Sequence, residues 1–165
     1  MARPVITARF AFSLLLIFIP VLNLPAQTAA PVFRSPADAG RSSRQRSNLI
    51  KYNEAWAVRT LQTLFSAEAT YQSTVGNGHY GTLAELVQQG MISKVLGEGH
   101  RYGYLFRIRV EKASSESPAS LEIVAVPRKY GRTGRRSFYV DETGVVVAAD
   151  RKGAEANASD DPLDP

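Results

Sequence analysis

Two periodicities divide this chain and leave little choice of fold class. Between Leu49 and Val75 the residues Ile50, Ala57, Leu61, Leu64 and Phe65 return on one side of a helical wheel, with Val58 beside them. Thr60, Gln62, Thr63 and Ser66 lie toward the other side. From Tyr102 onward the pattern becomes strict alternation. Tyr102, Tyr104, Phe106, Ile108 and Val110 are separated by Gly103, Leu105, Arg107 and Arg109, as in a strand with one buried face. Helical period first and strand period afterwards predict an α+β domain rather than alternating βα units.

Local punctuation fills in the order. Gly76-Asn77-Gly78 stops the long helix, because Gly and Asn readily take the left-handed conformation that ends helices. A second, short helix is capped by Thr82 with Glu85 three residues later, and presents Leu83, Leu86 and Val87 before Gly90 ends it. A polar loop around 113–120 leads into a second strand over 121–126, with Leu121, Ile123 and Ala125 on one face. The last two strands, 137–140 and 145–149, are joined by Asp141-Glu142-Thr143-Gly144, a hairpin loop with Gly where positive φ is needed. The expected domain therefore covers 48–150: a long helix and a short helix packed on a four-stranded antiparallel sheet.

The flanks are different in kind. Arg3 and Arg9, an apolar run over 10–22 and the small residues Ala26, Ala29 and Ala30 describe a secretory signal peptide at 1–26. The run is short for a membrane span, which needs roughly 20 apolar residues, but an uncleaved anchor is the alternative. Either way the domain is expected outside the cytoplasm, periplasmic or secreted, and touching a membrane only if the segment is retained. The stretch 27–47 holds Pro31, Pro36, Gly40, several Ser and four Arg without an apolar period, and reads as a flexible basic linker. Residues 151–165, rich in Gly, Ala, Asn, Asp and Pro, read as a disordered tail.

Composition narrows the chemistry. There is no cysteine, so no disulfide, thiolate nucleophile or thiolate metal site is available, and only two histidines, His79 and His100, stand alone in Gly-rich loops. No Ser–His–Asp spacing is recoverable. Asp141, Glu142 and the tail acids Asp160, Asp161 and Asp164 lack the alternating-oxygen spacing of a calcium loop. The expectation is a protein without catalysis, cofactor or metal.

Several segments resemble a known group. Asn53-Glu54-Ala55, Thr60-Leu61-Gln62-Thr63-Leu64, Ala67-Glu68-Ala69-Thr70-Tyr71-Gln72, then Gly76-Asn77-Gly78 and Tyr80 resemble the head domains of bacterial type IV pilin-like proteins, a group that includes the type II secretion pseudopilins. The short helix from Leu83 to Leu86, the strand start Tyr102-Gly103-Tyr104 and the hairpin from Arg136 through Val145 are similar to the later parts of such heads. The resemblance spans roughly Asn53 to Ala149 and is structural rather than catalytic. It implies a long helix laid on an antiparallel sheet, an extracytoplasmic structural role and protein partners in the envelope or secretion machinery. Prepilins also carry a Gly–Phe processing junction, a glutamate just beyond it and an apolar helix continuous with the head. Here the acidic residue ahead of the head is Asp38, in the linker, and Pro20, Pro25, Pro31 and Pro36 interrupt any such helix. The resemblance thus implies a head uncoupled from a filament stem.

Two features carry functional weight beyond the fold. Glu68 lies seven residues after Leu61 and four after Leu64, inside the apolar stripe. It is either a ligand or subunit contact, or a structural carboxylate that pairs with a sheet arginine or accepts bonds from loop amides around 76–81, since an unpaired buried charge is prohibitive. Arg128, Lys129, Arg132, Arg135 and Arg136 crowd nine residues with Tyr130 as the one aromatic. They form either a solvated loop or a grip for an anionic polymer such as DNA or an acidic glycan, helped by the basic linker. Trp56 stands off the main apolar stripe, as an exposed contact or part of a second packing face.

Overall fold

The computed structural model describes residues 36–163; the segment read as a signal peptide or anchor, and the first part of the linker, lie outside the described residues. The fold is α+β with one antiparallel five-stranded sheet. Helix α1 spans Pro36–Thr74, α2 Leu83–Gln88 and α3 Lys94–Gly97. The strands are β1 His100–Arg101, β2 Tyr104–Glu111, β3 Ser120–Pro127, β4 Ser137–Asp141 and β5 Val147–Ala149, and their order across the sheet is their order in the chain.

The core follows from the two periodicities. Ala57, Leu61 and Leu64 of α1 are fully buried against Tyr104, Phe106, Leu121, Ile123, Ala125, Phe138 and Val140 of the sheet. Each such leucine contributes about 1.5–3 kcal/mol by leaving water. Leu86, Ile92 and Leu96 bring α2 and α3 onto the same cluster. The Thr82–Glu85 capping box is formed, with the Glu85 N–H donating to the Thr82 hydroxyl and the Glu85 carboxylate accepting from the Thr82 N–H.

Helix α1 begins earlier than the periodicity suggests, inside the stretch read as a linker. Side chains from Ser42 to Leu49 are exposed, so this part extends a helix nucleated by the buried half.

Five strands replace the expected four. The alternation starting at Tyr102 is real only from Tyr104, because Tyr102 (φ 48°) and Gly103 (φ 75°) are both left-handed and form a two-residue hairpin turn between β1 and β2. Two left-handed residues in succession are the requirement of a type I′ turn, usually met by Asn-Gly. Tyr at the first of these positions carries strain of order 1–3 kcal/mol.

The sheet has two buried faces rather than one. Val124, Tyr139 and Val147 form a second small cluster, and Ala156 from the C-terminal segment closes it. The tail is therefore packed, contrary to the disorder its composition suggests. Ala148 N–H donates to Asp161 C=O (3.0 Å), Leu163 N–H donates to Val146 C=O (2.8 Å), and the Ser137 hydroxyl donates to Ala154 C=O (2.6 Å). Glu155 bridges Arg107 and Arg109 on β2. Average composition missed these few specific anchors.

Candidate functional site: a cationic ledge beside helix α1

The basic loop between β3 and β4 is held rather than free. Within it, the Arg132 and Thr133 N–H groups both donate to Lys129 C=O, and Gly131 N–H donates to Gly134 C=O (2.8 Å). Two buried polar residues of α1 clamp it. Asn53 Nδ2 donates to Thr133 C=O (2.9 Å), and Glu54 Oε1 accepts from the Arg135 and Arg136 N–H groups (3.0 and 3.2 Å). Beneath the loop the Tyr104 hydroxyl donates to Arg136 C=O (2.8 Å), and a Cβ on Gly134 would lie 2.0 Å from that hydroxyl oxygen. The Tyr102–Gly103 turn joins the same assembly, because Arg128 N–H donates to Gly103 C=O (2.9 Å).

The five cations of the loop separate into two groups. Arg136 is structural: its Nε donates to Glu54 Oε2 (3.0 Å) and its guanidinium lies over the Phe138 ring. Arg128, Lys129, Arg132 and Arg135 are exposed and make no ion pair among the described residues. Arg135 lines an open cleft of about 360 Å³ with Arg46, Ile50 and Lys51 of α1, and Arg132 meets Arg46 and Leu49 in an adjoining groove. Two basic clusters some ninety positions apart in sequence thus face one depression (~90, from 46 to 135). The lining residues of both grooves include no carboxylate.

Tyr130 does not belong to this surface in the way its position suggests. Its hydroxyl donates to Asp150 Oδ2 and its ring lies under Lys152, which ties it to the C-terminal segment. The aromatic groups beside the cations are others. Trp56 stacks on Tyr102 (centroids 4.8 Å, interplanar angle 24°), and Tyr52 meets both edge-on at 6.1 and 6.3 Å. Arg59 lies over Trp56 and Arg101 over Tyr102, at 5.4 and 4.9 Å. Tyr52, Trp56 and Arg59 recur at helical spacing on the polar side of α1, which was the one sequence signal for this cluster. Tyr102 and the clamping pair Asn53 and Glu54 had none.

Glu68 is completely buried, and its Oε2 accepts from Gly81 N–H (2.8 Å). A loop amide, not a sheet arginine, is its partner, and Oε1 has no hydrogen bond among the described residues. Burial pushes the carboxyl up to about 7; the Gly81 amide opposes this and nearby Glu85 adds to it. The group ties the Gly-rich loop after α1 back to the helix. His79 and His100 sit apart from it: a His79 ring nitrogen accepts from Ala113 N–H, and His100 lies beside Glu98. No group of three His, Cys, Asp or Glu able to hold a metal occurs among the described residues, and no helix among them is long and apolar enough to cross a membrane.

The chain matches no family model, and it has no match among the curated proteins or the solved structures with which it was compared.

Proposed function

We propose that the chain works outside the cytoplasm as a non-catalytic structural or interaction protein of the bacterial envelope or secretion apparatus, with a pilin-like head as its working part. The observation that carries this reading is the order of parts from Asn53 to Ala149. A helix packs on a consecutive antiparallel meander, and Glu68 ties its trailing glycine loop back to it. The N-terminal basic and apolar segment supplies the export signal. Intact mass spectrometry on fractionated cells tests it. A mass beginning near Gln27 in the soluble extracytoplasmic fraction supports a released head, and a full-length mass in the membrane fraction supports an anchored one. A full-length chain confined to the cytoplasm ends the proposal.

A second reading is favoured by the shared cleft of Arg46, Lys51 and Arg135: a binding module for an anionic polymer, DNA or an acidic glycan. Here the loop cations Arg128, Lys129, Arg132 and Arg135 act with α1, and Arg136 holds the loop in shape. Affinity for either polymer then falls steeply with added salt, and Arg132→Ala with Arg135→Ala flattens that dependence. Affinity that is indifferent to salt excludes this reading.

A further inference from the structure

We infer that the aromatic cluster on α1 and the cationic ledge form one track for single-stranded nucleic acid, with bases stacking on Tyr52 and on the guanidinium planes that cover Trp56 and Tyr102, and phosphates held by the flanking arginines. The inference rests on the second reading above and specifies its ligand. Three independent observations support it.

The first is continuity. Gln45, Leu49, Tyr52, Trp56 and Arg59 follow one another along one side of α1, over about 21 Å of helix. Arg132 joins this stripe at the Leu49 end, and Arg101 with Tyr102 joins it at the Arg59 end. Leu49 and Tyr52 are 52% and 53% exposed, so the middle of the track is open apolar and aromatic surface.

The second is charge. Arg46, Arg59, Arg101 and Arg132 make no ion pair among the described residues, and the lining residues of the grooves at both ends include no carboxylate. Two acids that touch the loop are engaged: Glu54 is taken up by the loop amides and Arg136, and Asp150 is bonded by Tyr130 and Lys152. Cations at both ends of an exposed aromatic stretch match a polyanion that also carries flat apolar faces. An unpaired nucleic acid strand has both, since each base offers a π-face and each linkage a phosphate. A duplex hides its bases, and an acidic glycan has no aromatic face. Guanidinium planes over rings, as at Arg59–Trp56 and Arg101–Tyr102, extend the stacking surface.

The third is backbone strain. Tyr102 is held in a left-handed conformation that Asn or Gly would adopt at less cost, and its ring is the one that stacks on Trp56. An unfavourable residue at a turn, presenting its ring at the edge of an open groove, points to a use for that ring.

The test is fluorescence anisotropy at low salt on the full chain, with three probes of equal length and charge. These are an oligothymidylate, an abasic deoxyribose-phosphate strand and a sulfated oligosaccharide. The expected result is oligothymidylate binding at least about tenfold tighter than the abasic strand, the size of one base stack. Tyr52→Ala and Tyr102→Asn remove that preference and leave abasic binding unchanged. Tyr52 is exposed, and Asn suits the Tyr102 turn, so neither variant relies on a core position; circular dichroism verifies that both stay folded. Tyr52→Phe retains the preference. Equal affinity for the first two probes, a preference that survives in Tyr52→Ala, or tightest binding of the oligosaccharide overturns the inference while leaving the anionic-polymer reading intact. Binding of none of the three overturns both.

Discussion

Arginines on two sides of this domain have opposite fates. On the face of the sheet away from α1, Arg107 and Arg109 project from β2 and are bridged by Glu155, and Arg151 pairs with Asp160. Around α1 and the β3–β4 loop, Arg46, Arg59, Arg101, Arg132 and Arg135 make no ion pair among the described residues. The difference lies in what covers each surface. The C-terminal segment folds over the first and brings its acids with it. The second is left to solvent, although the loop beneath it is clamped by Asn53, Glu54 and Tyr104. A paired arginine holds a segment in place, and an unpaired one on a rigid ledge is available to a ligand.

Removing the covering segment has the largest expected effect on the paired arginines. A chain ending at Asp150 uncovers Val124, Tyr139 and Val147, leaves the Ser137 hydroxyl without its acceptor and deprives Arg107 and Arg109 of Glu155. The expected loss is about 3–5 kcal/mol, from apolar area returned to water and a buried polar group left unmatched. Urea unfolding followed by circular dichroism measures it, and a loss below about 1 kcal/mol would make the packed tail energetically idle.

Two adjacent arginines sharpen the contrast at smaller cost. Glu54→Ala frees two loop amides and Arg136 together, and is expected to destabilise by about 2–4 kcal/mol. Arg135→Ala, one residue away from Arg136, changes stability by less than about 0.5 kcal/mol because its side chain is exposed and unpaired. Equal effects in a denaturant titration would erase the distinction between clamp and ledge.

Glu68 supplies the converse case, an acid buried without a countercharge. Its folded pKa lies above that of the unfolded chain, so the native state holds the proton more tightly. Its contribution to stability is therefore complete below about pH 4.5 and is lost as pH rises through about 7. Glu68→Gln keeps a carbonyl oxygen for Gly81 N–H and removes the titration. The variant should match the parent at pH 4.5 and exceed it at pH 8 by about 1–3 kcal/mol, which thermal melts at both pH values read directly. A parent whose melting temperature rises between those values contradicts the sign. Glu155→Gln is expected to cost about 1 kcal/mol or less, since Arg107 and Arg109 remain half-exposed and screened. High salt should reduce that difference further.

Much of the local structure was legible because it depends on near neighbours. The stop at Gly76-Asn77-Gly78, the Thr82–Glu85 box and the turn after Asp141 each need only residues within a few positions of one another. Glu68 was visible as an anomaly because a carboxylate interrupts an apolar stripe, but its choice of Gly81 over an arginine was not. The start of α1 was missed because its first turns are polar on every side and show no period. The β1–β2 turn was missed because alternation continues unbroken through Tyr102, and nothing in the spacing reports its positive φ.

The class of fold is readable from the order of residues alone, since a helical period followed by a strand period admits few ways to bury both apolar faces. The same order sets the supply of charge and aromatic rings along the chain, but their use depends on packing. Glu155 reaches Arg107 across 48 positions, Arg136 reaches Glu54 across 82, and Tyr102 is stacked on Trp56 with Arg46 and Arg135 sharing a cleft nearby. Pairing of charges and stacking of rings depend on distances of a few ångströms, and these are set when the helix is laid on the sheet.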